Sequence, residues 1–179
     1  MLIDSRVFTA IKKIENTPIE DKYEMENRLL ELMNLGKRGI NIYPAVGVLI
    51  KLLDFGNVRN MSILALKRAA KNGDISEAVP KLFDVLVREQ NIGVCANAVE
   101  VIALNGKTTS EEMRRKFEAI VEKEKDPAKK IEMKTKFSRL YAFFVQKTGK
   151  EVDLKELKFR RFKTPRKNLR FRVERRLRR

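Results

Sequence analysis

The sequence predicts an all-α protein built from consecutive helical hairpins, and three observations support this fold class. Apolar residues recur at positions i, i+3, i+4 and i+7, the spacing that places them on one face of an α-helix. Val46, Leu49, Ile50 and Leu53 form one such set. Capping residues and glycines separate these stretches from one another. Two adjacent stretches also align with each other without gaps at a shift of 33 residues.

The flanking residues predict where each helix begins and ends. A Thr or Asp three residues before Glu is typical of a capping box, and this pattern occurs at residues 17–20, 74–77 and 109–112. Asp126-Pro127 marks the start of the last helix. Helical stretches are followed by glycines that can terminate a helix in a left-handed conformation, namely Gly36, Gly73, Gly106 and Gly149. We therefore predict helices near residues 4–15, 19–35, 43–55, 58–72, 76–89, 92–104, 110–124 and 127–147.

The internal alignment pairs residues 45–73 with residues 78–106. Each unit is a hairpin of two helices, which cannot bury both of its apolar faces alone, so neighbouring hairpins must stack. Small residues recur in the second helix of each unit, and Ala65 aligns with Ala98. We expect these small side chains to permit close contact between the second helices.

Residues 56–86 resemble a HEAT-type repeat of the short variety. Such repeats have a polar turn, a Val-Arg pair at the start of the second helix, spaced Ala-Leu pairs and an Asp before the next hairpin. The matching features are Asn57-Val58-Arg59, Ala65-Leu66 and Asp74. Arg59 departs from its counterpart in the second unit, where Gly93 stands near the equivalent place. The resemblance is best over residues 43–107. It implies an all-α, HEAT-like helical-hairpin solenoid of about four hairpins over residues 1–150, acting as a scaffold that binds protein or nucleic acid.

Positive charge is concentrated at the C-terminal end of the chain. The sequence has 40 Lys and Arg against 24 Asp and Glu, a net charge of +16. Residues 158–179 carry +11 of this charge, with Glu174 as their only acid. Such an excess favours a polyanionic partner, either nucleic acid or an anionic membrane surface. We predict that residues 151–179 form a basic, Arg- and Phe-rich extension of the helical domain.

Phenylalanines alternate with the cations of this extension, a combination similar to the basic extensions of ribosomal proteins. Arginine makes forked contacts with phosphate and stacks on bases, while phenylalanine can stack on an unpaired base or anchor the segment to the helical body. The resemblance implies a segment that threads between RNA helices; a non-specific basic tail is the alternative. The candidate nucleic-acid-binding residues of the extension are Lys158, Phe159, Arg160, Arg161, Phe162, Lys163, Arg166, Lys167, Arg170, Phe171, Arg172, Arg175, Arg176, Arg178 and Arg179.

Basic residues in the helical part fall into two groups. Lys67, Arg68 and Lys71 are further candidates for nucleic-acid binding, because no acid stands beside them until Asp74. The basic residues between positions 111 and 136 are instead mixed with glutamates at helical spacing. We expect those residues to form ion pairs on a solvated face.

Residues that carry enzyme chemistry are scarce. Histidine is absent and Cys95 is the only cysteine, which excludes an internal disulfide, Cys/His metal sites and His-dependent nucleophiles in this chain. No glycine-rich phosphate or dinucleotide motif is present. Asp54, Asp84 and Glu100 look buried from their surroundings and are expected to pair with Lys or Arg, and Cys95 is expected to be a reduced core thiol. We predict no enzyme activity, cofactor or metal.

Together these features predict a non-catalytic, cytoplasmic RNA-binding protein associated with the ribosome or rRNA, with ribosomal or other proteins as further partners. No signal peptide or membrane-spanning run is recognisable, and Leu169, Val173 and Leu177 form too thin an apolar stripe for a membrane anchor. One alternative is a DNA-binding chromatin or repair protein with HEAT-like repeats. DNA alkylpurine glycosylases are similar in this respect, but they generally use tryptophan, which this chain lacks. The other alternative is a protein–protein adaptor with a localising basic tail.

Overall fold

The computed structural model describes residues 3–149, and this part of the chain contains eight α-helices and no strand. The helices are α1 (Ser5–Asn16), α2 (Lys22–Lys37), α3 (Val46–Leu52), α4 (Arg59–Ala69), α5 (Val79–Arg88), α6 (Ile92–Leu104), α7 (Ser110–Lys123) and α8 (Pro127–Thr148). The prediction of an all-α protein is confirmed, and each predicted helix has a counterpart. In this stretch, no helix combines the length and the apolar content that crossing a bilayer requires.

A side-chain cap begins five of the eight described helices, whereas α3, α4 and α5 begin without one. Thr109 and Asp126 cap α7 and α8 as predicted, each accepting a hydrogen bond from a backbone amide of the first turn. The capping box predicted around Pro18 is wrong, because Asp21 caps α2 instead. Its carboxylate accepts a 3.0 Å hydrogen bond from the Glu24 amide, and its own amide donates to the Pro18 carbonyl oxygen. Pro18 therefore lies in a turn that precedes the helix.

Short 3₁₀ turns precede α3 and α5. The helices predicted at residues 43–55 and 76–89 therefore each consist of a 3₁₀ turn followed by a shorter α-helix. The turns span Tyr43–Ala45 and Ser76–Ala78. Asp74 leads into the second turn, because its carboxylate accepts a 2.9 Å hydrogen bond from the Ser76 amide two residues later. The spacing of a capping box is thus present at this position, but it starts a 3₁₀ turn rather than an α-helix.

Of the four glycines predicted to end helices in a left-handed conformation, two do so and two do not. Gly106 and Gly149 have φ angles of 69° and 65° and end α6 and α8 as predicted. Gly36 lies inside α2, and the left-handed residue that follows this helix is Gly39, with a φ of 80°. Gly73 is not left-handed.

Consecutive helices pack in pairs, α1 with α2, α3 with α4, α5 with α6 and α7 with α8. The second helices of the pairs also contact one another in the order α2, α4, α6, α8. Asn57 before α4 donates a 3.0 Å hydrogen bond to the carbonyl oxygen of Ile19 before α2, and Asn97 of α6 donates one to Asn60 of α4. Lys147 near the end of α8 contacts Glu100 in α6. The four second helices therefore run parallel in one row.

One continuous apolar core lies between the first and second helices of the described residues. Ala65 and Ala98 are fully buried where α4 packs against α6, as their small size predicts. In the last two pairs, Phe117 stacks on Phe137 with ring centroids 4.5 Å apart, and Phe83 packs edge-on against Phe117 at 6.0 Å. Such side chains each stabilise the fold by about 1.5–3 kcal/mol when fully buried.

Candidate nucleic-acid interface

The candidate site residues are divided between α4 and the C-terminal extension. Lys67 and Arg68 lie in the last turn of α4, and Lys71 follows the helix directly. All candidates from Lys158 to Arg179 lie outside the described residues, so the prediction for the extension stays a prediction.

Lys67 forms an ion pair, although the sequence shows no acid beside it. Its ammonium group lies 2.9 Å from Glu100 Oε2, and Lys147 lies 3.2 Å from Glu100 Oε1. The Glu100 side chain is only 18% exposed. Its pKa is lowered, first by the hydrogen bond from Lys67 and also by that from Lys147, against the opposing effect of burial. Glu100 thus holds together the ends of α4, α6 and α8, and one carboxylate is shared by two lysines.

Arg68 and Lys71 differ from Lys67, because neither has a carboxylate partner among residues 3–149. Arg68 lies against α2, where a Cβ added at Gly36 would be 3.6 Å from its Cδ. Lys37 and Arg38 follow Gly36 at the end of α2 and are likewise unpaired within the described part of the chain. The ends of α2 and α4, which Arg68 brings into contact, thus carry four cations without a carboxylate partner, and we call Lys37, Arg38, Arg68 and Lys71 the basic edge.

The loops beside the basic edge are packed against each other. The ring of Tyr43, in the segment after α2, covers Gly73, in the segment after α4, so closely that an added Cβ would lie 2.6 Å from a ring carbon. The side chain of Ile42 is fully buried, and a Cβ added at Gly36 would approach it to 3.1 Å. These contacts hold the ends of α2 and α4 in fixed relative positions.

Lys37 and Arg38 were missed by the sequence analysis, although one signal points to them. Arg38 precedes Lys71 by 33 positions, the shift of the internal alignment. The same shift relates Lys67 to Glu100 and Asp74 to Lys107, and both of these pairs form ion pairs across the row of helices. Positions one repeat apart thus lie side by side at the ends of the second helices.

The expected pairing of the basic residues between positions 111 and 136 is confirmed only in part. Lys123, Lys125, Lys129, Lys130 and Lys134 have no carboxylate partner among the described residues, whereas the basic face at the start of α7 forms the expected ion pairs. Arg114 and Arg115 pair with Glu111 at 2.8 and 3.0 Å, and Lys116 pairs with Glu112 at 3.0 Å. The Lys116 ammonium also lies 4.5 Å from the centroid of the Phe83 ring. This face has little charge left for a polyanion.

The predicted burial of the acids is wrong for two of the three. Asp54 and Asp84 are exposed, and only Glu100 is half-buried. The expected pairing holds for Asp54, which binds Lys81 at 2.7 Å and Arg88 at 3.1 Å; Asp84 has no such partner among the described residues. The hydrogen bonds from Lys81 and Arg88 lower the pKa of the Asp54 carboxyl.

The most enclosed ion pair was not anticipated and joins the second helix pair to the third. Arg59 Nη1 lies 2.8 Å from Glu89 Oε2, with the two side chains only 14% and 17% exposed. Arg59 Nε also donates a 2.8 Å hydrogen bond to the Leu53 carbonyl oxygen. The pKa of Glu89 is lowered, chiefly by the hydrogen bond from the Asn91 amide and further by Arg59. The arrangement is structural, since Arg59 uses its donors within the protein.

Cys95 is fully buried, as expected, with its Sγ 3.5 Å from the Glu89 carbonyl oxygen. Burial raises the pKa of the thiol, which keeps it protonated and unreactive. Over residues 3–149, no group of three His, Cys, Asp or Glu side chains is placed to hold a metal ion. Comparisons of the chain with protein-family models, with curated proteins and with solved structures found no match.

Proposed function

We propose that this protein binds RNA without catalysing a reaction, and that its partner is the ribosome or ribosomal RNA. The observation that carries the proposal is the segregation of charge along the sequence. Residues 158–179 hold +11 of the net charge, while the described helical body pairs most of its acids with its own cations. A segment with a single acid cannot neutralise itself, so it is suited to a polyanion.

We also propose that the helical body is a HEAT-like solenoid that acts as a scaffold. This proposal is supported by the pairwise packing of the helices, by the parallel row of second helices, and by ion pairs between positions 33 residues apart. Stacked helical hairpins present an extended surface whose shape does not depend on the partner. The basic extension can then contact phosphates while the body supplies a fixed platform beside them.

Arginine and phenylalanine make RNA a better match than duplex DNA. Arginine forks fit phosphate oxygens, and phenylalanine stacks on bases that are unpaired, which are common in folded RNA. If about eight of the twelve cations between Lys158 and Arg179 each neutralise a phosphate, the logarithm of the affinity should fall with log salt at a slope of roughly −6 to −7. Selectivity would then come from RNA shape and from stacking on Phe159, Phe162 and Phe171.

The proposal is tested by recovering nucleic acid bound to the full chain from native cell extract without nuclease. The comparison protein is a full-length variant in which all twelve Lys and Arg between Lys158 and Arg179 are replaced by Gln. Sequencing should find ribosomal RNA enriched with the natural chain and lost from the variant. Recovery of genomic DNA would favour the chromatin or repair alternative, and protein partners retained equally by both chains would favour the adaptor.

A further inference from the structure

At the basic edge, cations from the ends of two separate helices have no carboxylate partner among residues 3–149. Lys37, Arg38 and Lys71 are exposed, and Arg68 is half-buried against α2. Arg114, Arg115 and Lys116 of α7 are paired with glutamates. The lysines between positions 123 and 130 have no ion pair among the described residues, but Glu122, Glu124 and Asp126 lie beside them in the sequence. Mutual repulsion of four neighbouring cations is unfavourable unless an anion binds between them.

Stabilisation of helix ends does not account for this cluster. Cations near a helix C-terminus interact favourably with its carbonyl groups, typically by about 0.3–1 kcal/mol. However, α6 ends without any basic residue in its last turn, and the last turn of α8 contains only Lys147, which is paired with Glu100. Within residues 3–149, the last turns of α6 and α8 thus contain no unpaired cation, so the fold itself does not require the four at the ends of α2 and α4.

The groups around the basic edge suit phosphate oxygens. Arg38 and Asn34 both line an open groove between α1 and α2, so an amide donor stands one turn from a guanidinium group. Glu31 lines the same groove, and its carboxylate is held by Lys13 at 2.8 Å. Arg68 is positioned by Gly36, and the adjoining loops are held by the contact of Tyr43 with Gly73. Donors held in fixed positions lose less conformational entropy on binding than donors of a mobile segment.

The basic edge also lies at the end of the body from which the extension continues. Glu100 contacts Lys67 near the end of α4 and Lys147 near the end of α8, so these helix ends are adjacent. The eight residues from 150 to 157 span at most about 28 Å in any conformation. Lys158, the first residue of the strongly basic segment 158–179, is therefore separated from the end of α8 by at most that length.

We propose that the basic edge is a second phosphate-binding site, which holds the backbone of the same RNA that the extension contacts. This inference rests on the proposed RNA-binding function and deepens it by adding a contact on the folded body. Two linked sites on one RNA raise each other's effective concentration. The body then sets the orientation of the RNA, and the extension supplies most of the affinity.

The test uses the full chain with the substitutions K37Q, R38Q, R68Q and K71Q combined. The matched control combines K123Q, K125Q, K129Q and K130Q, which removes the same charge near the turn between α7 and α8, where acids alternate with the lysines. Binding of a stem-loop RNA and of the DNA hairpin of the same sequence is measured by fluorescence anisotropy over a range of salt. Helix content and melting are compared for each protein by circular dichroism.

We expect the basic-edge variant to bind the RNA on the order of 100-fold more weakly near physiological salt, with a salt slope smaller in magnitude by roughly 2 to 3. The control should change the slope by less than about 1. If the basic-edge variant melts at a lower temperature than the natural chain, the triple variant K37Q/R38Q/K71Q replaces it, because it leaves the packed Arg68 in place. This variant should still reduce the magnitude of the salt slope by roughly 2.

Equal losses in the basic-edge and control variants would overturn the inference but leave the proposed function intact. Absence of RNA binding by the natural chain would overturn both. The assignment to RNA would be overturned if the natural chain bound the DNA hairpin as tightly as the RNA and the basic-edge substitutions weakened both equally.

Discussion

The enclosed ion pair between Arg59 and Glu89 provides the sharpest test of how the helix pairs are held together. We consider Arg59→Met, which keeps an apolar stem of similar length and removes the guanidinium group. The change deletes hydrogen bonds of 2.8 Å to Glu89, 2.8 Å to the Leu53 carbonyl oxygen and 3.3 Å to the Asp54 carbonyl oxygen. It also leaves the Glu89 carboxylate, 17% exposed, without its cation.

The expected loss of unfolding free energy in Arg59→Met lies between the values for an exposed and a fully buried ion pair. Exposed ion pairs contribute about 0.2–1 kcal/mol, whereas removal of one partner of a fully buried pair costs about 3–5 kcal/mol. With side chains 14% and 17% exposed, Arg59 and Glu89 lie nearer the buried limit, but Glu89 keeps its hydrogen bond from the Asn91 amide. We expect Arg59→Met to lower the free energy of unfolding by about 2–3 kcal/mol, which corresponds to a fall in Tm of about 4–12 °C for a chain of this size.

Urea unfolding followed by circular dichroism measures this loss, and Arg115→Met is the control. Arg115 also binds a glutamate, Glu111, at 3.0 Å, but its side chain is 75% exposed, so the control should lose less than about 0.5 kcal/mol. A double-mutant cycle with Glu89→Gln isolates the pairwise energy. Equal losses in Arg59→Met and Arg115→Met would refute the reasoning that enclosure makes the Arg59 contact strong.

Three further predictions concern packing, acid stability and thiol reactivity. Gly73→Ala should destabilise the protein by about 1–3 kcal/mol, because the added Cβ meets the aromatic ring of Tyr43. Gly47→Ala should stabilise it by up to about 1 kcal/mol, because nothing lies within contact distance of the added Cβ. Urea unfolding should therefore show the two midpoints shifted in opposite directions. The hydrogen bond from Lys107 is the main cause that lowers the pKa of Asp74 from 3.8 to about 2, so this stabilisation is complete above pH 4 and is lost as the pH falls through 2. Asp74→Asn should therefore flatten the acid limb of a Tm-against-pH curve, and an unchanged limb would contradict the assignment. Cys95 should react with a thiol reagent in urea but not in the native protein; rapid native labelling would be inconsistent with its burial.

The helices could be predicted from the sequence because local signals agree with the packing. The α6 helix matches its predicted range, 92–104, where Asn91 provides a cap and the stretch is strongly apolar. The start of α2 could not be predicted, because Thr17 and Asp21 are both followed by a glutamate three residues later. Asp21 caps the helix, while the Ile19 carbonyl oxygen accepts a hydrogen bond from the next helix pair. That choice depends on a long-range contact that local spacing does not contain.

The candidate site was only partly predictable for a related reason. Arg68 and Lys71 were predicted from a local lack of acids, and they are unpaired among the described residues. Lys67 has the same local surroundings, but its partner Glu100 is 33 positions away on a neighbouring helix. The repeat shift contained this information, although using it required knowing that the second helices are adjacent and parallel. Arg38 was missed because the internal alignment begins after it, at position 45.

The ionic contacts between helix pairs are unevenly distributed, and this has a consequence for local opening. Across the described residues, no ion pair joins the first helix pair to the second, whereas Arg59–Glu89 and Lys67–Glu100 join the second to the third and Lys147–Glu100 joins the third to the fourth. The first junction instead relies on apolar packing and on the hydrogen bond from Asn57. In an array of stacked hairpins, the weakest junction opens first. We therefore expect amide exchange in dilute buffer to be fastest in the N-terminal helix pair. Added salt screens the ion pairs at the other two junctions, so it should reduce this difference between the helix pairs.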